Sequence, residues 1–233
     1  MSRWRTRSRG PGTASGPARD GRALRPTAVR PRASAADGRA AAAPADRPYW
    51  AAREAGRLET LAAAAAAVQH ASDEQELLDA VGAAVEFLGL SAHLALLDPV
   101  ERVLVVRKAV LPWVPQVEAE RLRGGPLVGQ RIELDAAPAH AVLVREERLV
   151  HAPKALSWVF DVPSGTPPAE AEAVAAFLGI GEALLAPITD GRRVFGALTV
   201  WAPALSVADR SAATLLGRLA GGALAAQGQR AAG

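Results

Sequence analysis

The stretch GEALLAPITDGRRVFGALTVWAPALSVADRSAATLLGRLAGGALAAQ, residues 181–227, decides the fold. Its first part alternates apolar residues on either side of Asp190-Gly191. That is the pattern of two strands joined by a tight hairpin, because Gly and, less easily, Asp tolerate the positive φ such turns need. Beyond Ser206 the period changes: Leu215, Leu216, Leu219 and Leu224 recur at helical spacing. Ser206 with Asp209 three residues on has the form of a capping box with Asp in place of the usual Glu. A closing hairpin therefore feeds a long C-terminal helix.

Working back from this stretch, Gly179 and Gly181 end a helix predicted over 169–178, and Pro168 can occupy its first turn. Residues 154–168 form a loop holding Trp158 and Phe160 among three prolines. Before it come a short strand at 148–151, a helix at 136–144 and a strand at 129–134. A short amphipathic piece at 116–122 precedes these, between Pro115 and Gly124-Gly125. Residues 91–98 and 101–110 read as a hairpin turning at Asp98-Pro99-Val100, with Arg107 and Lys108 marking an exposed edge. Ser72 with Gln75 predicts the start of a helix that carries Leu77, Leu78, Val81, Val85 and Leu88 inward and stops at Gly89. Over 49–70 an Ala-rich helix aligns Leu58, Leu61, Ala65 and Val68 on one stripe. That stripe suits either a coiled-coil dimer seam or packing on the domain's own sheet. The element order predicts an α+β domain: a mostly antiparallel sheet of five to six strands covered by helices.

Composition sets the outer bounds. Residues 1–48 carry 11 Arg and 3 Asp, leaving 16 basic against 21 acidic side chains in the remainder of the 233-residue chain. This Arg/Ala/Pro/Gly-rich tail has too few large apolar residues to offset the entropy of ordering, so it is expected to be disordered, with the globular domain spanning 49–233. A solvated extension is the favoured reading over a basic arm that meets nucleic acid. Cysteine is absent, which removes disulfides, thiolate metal sites and thiol nucleophiles. No apolar run reaches membrane-spanning length and the N-terminus has no secretory apolar core, so a cytoplasmic protein is expected.

The motifs of enzymes are missing. There is no phosphate-binding Gly loop, no HExxH helix and no GxSxG elbow. His70, His93, His140 and His151 lie far apart in sequence, without metal-ligand spacing. The acidic pairs fall in polar turns or on helix surfaces, as solvated charges do. The expectation is no catalytic residue, no metal and no cofactor. Aromatic residues speak more strongly: Trp113, Trp158 and Phe160 sit in irregular excursions, where large apolar side chains must bury themselves against the domain or a ligand.

With Pro187 in one strand, Phe195-Gly196-Ala197-Leu198 in the next and a helix following, the closing stretch resembles the end of a GAF domain. The middle is similar too, through Gly129, Pro138 to Val144, Arg145-Glu146-Glu147 and Leu149-Val150; the likeness covers roughly residues 58–227. The resemblance implies a small-molecule pocket between the sheet and the excursions, with Trp113, His140, His151, Trp158 and Phe160 as candidate lining. His93, which alternates with Leu94 and Leu96, is a further candidate. The same side chains would equally serve as lids over an empty sheet face. Without cysteine, members that attach a bilin by thioether or reduce methionine sulfoxide are poor guides to the ligand, and no NKxD-type cyclic-nucleotide loop is present. The resemblance thus implies a sensory or regulatory module that binds an unnamed small ligand and acts through a homodimer or a separate output protein. The alternatives are a ligand-free scaffold that dimerises or docks a partner, and a nucleic-acid-associated regulator.

Overall fold

In the computed structural model of the chain, which describes residues 47–153 and 168–232, the segments flanking Asp190-Gly191 pair as antiparallel strands, with Ala183 opposite Trp201 and Pro187 opposite Ala197. The elements are α1 (Arg47–His70), α2 (Glu74–Phe87), β1 (Ser91–Asp98), β2 (Val103–Val110), α3 (Gln116–Arg123), β3 (Arg131–Glu133), α4 (Pro138–Glu146), β4 (Val150–Pro153), α5 (Pro168–Phe177), β5 (Glu182–Thr189), β6 (Val194–Ala202) and α6 (Val207–Ala232). The strands form one six-stranded sheet in the order β3-β2-β1-β6-β5-β4, and every neighbouring pair is antiparallel. This is the α+β architecture expected from the sequence.

Both sheet faces are covered, which is why β5 and β6 read as nearly unbroken apolar runs rather than half-polar ones. On one face Ala92, Leu94, Leu184, Ala186, Ile188, Leu198 and Val200 pack against Val68 of α1, Leu77, Leu78, Val81 and Val85 of α2, and Ala213, Leu216 and Ala220 of α6. On the other face the apolar side chains divide into two groups. One gathers Ala95, Leu104, Val106, Leu185 and Ala197 under Ala139 and Leu143 of α4. The second gathers Ala183 and Trp201 with Ala119, Leu127, Leu178 and Ile180. No helix among the described residues is long and apolar enough to cross a membrane.

Local signals are realised with several shifts. The Ser206–Asp209 box forms as expected: Ser206 Oγ accepts from the Asp209 N–H at 3.1 Å, and Asp209 Oδ2 accepts from the Ser206 N–H at 2.8 Å. At α2 the box moves one residue on. Asp73 is the N-cap and accepts from the Glu76 N–H at 2.8 Å, while Glu76 reaches back to the Ser72 N–H and hydroxyl. Asp73 rather than Ser72 caps the helix, which places a carboxylate at its positive end. The hairpin loop between β5 and β6 has four residues, not two. Asp190 Oδ1 accepts from the N–H groups of Arg192 and Arg193, at 2.8 and 3.0 Å, around Gly191 at φ +83°. Those backbone donors hold the Asp190 carboxyl below the usual carboxylate range. The α1 stripe also rotates: Val68 is 2% exposed and packs inward with Ala64 and Leu61, whereas Leu58 stays 60% exposed. β3 pairs only with the first three residues of β2, so Arg107 and Lys108 lie beyond it and pair instead with Glu74 and Asp79 of α2.

Candidate functional site

The sheet face under α4 carries an unusual row. In register across five strands lie Ala109, His93, Thr199, Leu185 and Val150. His93 and Thr199 are polar, yet they are 2% and 0% exposed. Alternation explains their placement. Leu94 and Leu198 point to the helical layer, so His93 and Thr199 must face the other way, between the Ala95–Ala197 pair and Trp201. The small pair Ala95 and Ala197 flanks the row on one side. On the other, the Trp201 ring lies 5.9 Å from the His93 ring at an interplanar angle of 53°.

Above this face, α4 presents Ala139, His140 and Leu143 as its buried residues. Pro138 opens the helix at a position where its missing N–H is harmless. His140 is 2% exposed, and burial alone pushes its imidazole down to about 4. Among the described residues its Nε2 has no hydrogen-bond partner, and neither has the Thr199 hydroxyl. A buried polar group left unsatisfied costs about 1–3 kcal/mol. Two such groups on one side of one sheet call for a physical reason.

The depressed imidazole makes a pH prediction. An unfolded His140 takes up its proton near 6.5, the ordinary value for histidine, whereas the folded one resists until about 4. Its contribution is therefore neutral above pH 6.5, and stability is lost as the pH falls from there towards 4. Urea denaturation at pH 7 and pH 5 should show the wild type losing about 2 kcal/mol more than His140→Leu across that interval. Parallel loss in the two proteins would mean that His140 is hydrated in the folded state.

The structure separates the candidates named from the sequence. His93 and His140 come to the same side of the sheet. His151 does not: it lies opposite Leu184, which faces the helical layer, and it sits at the sheet edge 3.2 Å from Glu182 Oε2. Trp113 is 73% exposed beside the turn that ends α2, its Nε1–H donating to Gly89 O at 3.1 Å. Trp158 and Phe160 lie outside the described residues. Thr199 was not anticipated. Val and Thr suit a strand equally, so its only signal is being the one hydroxyl in VFGALTVWA, at the same parity as Ala197 and Trp201.

The sequence matches no protein-family model and no curated protein. Solved structures superimpose on most of the chain. The GAF domain of the Acinetobacter phosphoenolpyruvate-protein phosphotransferase is 17% identical with a TM-score of 0.54, covering 76% of this chain and 96% of that one. The phycocyanobilin-bound GAF domain of a cyanobacterial phytochrome is 15% identical with a TM-score of 0.52, covering 75% and 96%. The nlh2 GAF domain of A. aeolicus, in an inactive state, is 10% identical with a TM-score of 0.51, covering 75% and 98%. The chain has the fold of a GAF domain.

Proposed function

We propose that this chain is a non-catalytic sensory module of the cytoplasm, in which a small uncharged ligand lies between α4 and the His93–Thr199 row. The observation that carries the reading is the pair of unpartnered buried groups, Thr199 Oγ1 and His140 Nε2. A hydroxyl and a neutral imidazole can each donate or accept one hydrogen bond. A ligand with complementary groups would remove two desolvation penalties at once, and that gain is available only on binding. An anion fits less well, because the depressed imidazole is uncharged at neutral pH. Occupancy would be passed on through the helical layer on the sheet's far side, where Leu58 and Phe87 stay 60% and 72% exposed. These apolar side chains are available to a second copy or to a separate output protein. The response can be no larger than the ligand's differential affinity for two packings of those helices.

Native mass spectrometry of freshly purified protein tests the reading, beside Thr199→Val and His140→Leu. A co-purifying small molecule is expected in the wild type and absent from both variants. In ligand-free protein each variant should be as stable as the wild type or more stable, by about 1 kcal/mol, because it deletes an unsatisfied group without opening a cavity. Wild type that emerges empty and shows no thermal shift with a metabolite panel would instead favour a ligand-free scaffold.

A further inference from the structure

We propose a second ligand site on this domain, at the Trp201 end of the same sheet face and beyond the part that α4 covers, that takes a flat, uncharged aromatic or heteroaromatic molecule. It is the cleft of about 430 Å³ where α2 and α5 hand over to β1 and β5, walled by Trp113, Phe177, Trp201 and Pro203 with Ser91 at its base.

A repeated piece of sequence builds its two sides. Phe87-Leu88-Gly89-Leu90 and Phe177-Leu178-Gly179-Ile180 terminate their helices in the same way. Gly89 and Gly179 take φ +70° and +64°. The Leu90 N–H returns to Val85 O at 3.1 Å, and the Ile180 N–H to Ala175 O at 2.8 Å. Each is a Schellman-type stop, for which glycine is the suitable residue. Both glycines line the cleft, so each stop adds backbone to the wall where a side chain would otherwise narrow it.

The two indoles are held, not loose. Trp113 is 73% exposed, an unfavourable position for so large an apolar group. Its indole is nevertheless anchored by the 3.1 Å bond to Gly89 O, and a Cβ at Gly89 would stand 3.5 Å from Trp113 Cζ2. Phe177 is 48% exposed on the facing wall. Trp201 donates its Nε1–H to Leu178 O at 3.3 Å. Both indole N–H groups are thus committed to backbone carbonyls, and among the described lining residues Ser91 supplies the one hydroxyl. Among the described residues no lining side chain is charged.

The lining selects its occupant. Without a charge, the cleft has nothing to pair with a carboxylate, phosphate or ammonium group. Its volume is in the range of small-molecule sites rather than of a flat protein interface. Aromatic walls held in place favour a planar molecule that stacks without first ordering them, and the Ser91 hydroxyl can meet one ring nitrogen or carbonyl.

Ligand-observed saturation-transfer NMR on the full chain tests this with three probes: quinoline, benzoate as its charged counterpart and cyclohexanol as an apolar non-planar one. Quinoline is expected to bind with a Kd of roughly 0.1–1 mM, with little signal from the other two. Trp113→Ala and Phe177→Ala should each weaken quinoline about tenfold or more, while Thr199→Val leaves it unchanged. Using two cleft variants guards against one failing to fold, and circular dichroism checks both. Quinoline binding that is indifferent to Trp113→Ala and Phe177→Ala overturns the proposal, as does a folded wild type that does not bind quinoline. So does a dimer that Trp113→Ala dissociates, which would make the cleft a contact between copies. Loss of binding through Thr199→Val alone would place the probe under α4 and likewise overturn the second site.

Discussion

Gly221→Ala is expected to destabilise the domain by about 3 kcal/mol, whereas Gly222→Ala, one residue further on, should leave stability unchanged or raise it by about 0.5–1 kcal/mol. A Cβ at Gly221 would stand 2.3 Å from the Thr189 carbonyl carbon and 2.4 Å from its N and O. One turn earlier, a Cβ at Gly217 would stand 2.5 Å from Pro187 O. These obstacles are the main chain of β5, where Pro187 and Thr189 pair with Ala197 and Val194 of β6, so no rotamer change relieves them. α6 would have to lift off the sheet and uncover Leu216 and Ala220, which are 1% and 0% exposed. At Gly222 a Cβ meets nothing within 4 Å, and alanine there simply improves helix propensity. Urea unfolding monitored by circular dichroism separates the two variants. Equal midpoints for both would show that α6 is not seated on the strand.

Asp209→Ala should cost about 3–5 kcal/mol, because it breaks an ion pair that is nearly buried and removes a cap at the same time. Both terminal guanidinium nitrogens of Arg57, Nη1 and Nη2, donate to Asp209 Oδ1 at 2.7 Å, with the two side chains 12% and 10% exposed. The other carboxylate oxygen, Oδ2, accepts from the Ser206 N–H and hydroxyl at 2.8 and 2.6 Å. Without the carboxylate, Arg57 is left enclosed with its charge unbalanced. Arg57→Ala should cost less, since Asp209 keeps its Ser206 bonds and its favourable place at the helix N-terminus. Hydrogen exchange gives the spatial signature: α1 amides should exchange faster in Asp209→Ala, while the β5 and β6 core stays protected. If the two variants prove equally unstable, capping contributes nothing measurable.

The fold was legible because its signals are local and repeated. Alternation around Asp190, the β1–β2 hairpin and glycine stops such as Gly89 each need only neighbouring residues to be read. Where the reading slipped, a distant partner decided. Gly217 and Gly221 are small residues in a Gly-rich helix, and only the packed fold shows that α6 uses them to meet a strand backbone. The Leu58 stripe had the spacing of a seam, yet which flank of α1 is buried depends on where α2 and α6 lie. The candidate site was less legible still. Periodicity puts His93 and Thr199 on one face, but only the sheet order makes them neighbours. Likewise His140 becomes unusual only once α4 has buried it. Nothing in the composition near Trp113 distinguishes an outward cleft wall from an inward lid.

The glycine contacts of α6 also bear on mechanics. Helices usually ride on sheets through a cushion of side chains that can adjust their rotamers and soak up small displacements. At Pro187 and Thr189 that cushion is missing, because helix and strand touch main chain to main chain. The opposite side of the same strand carries Leu185, next to Thr199 in the polar row. With no rotamer in between to adjust, a shift of β5 beside the polar row has to carry the last helix with it.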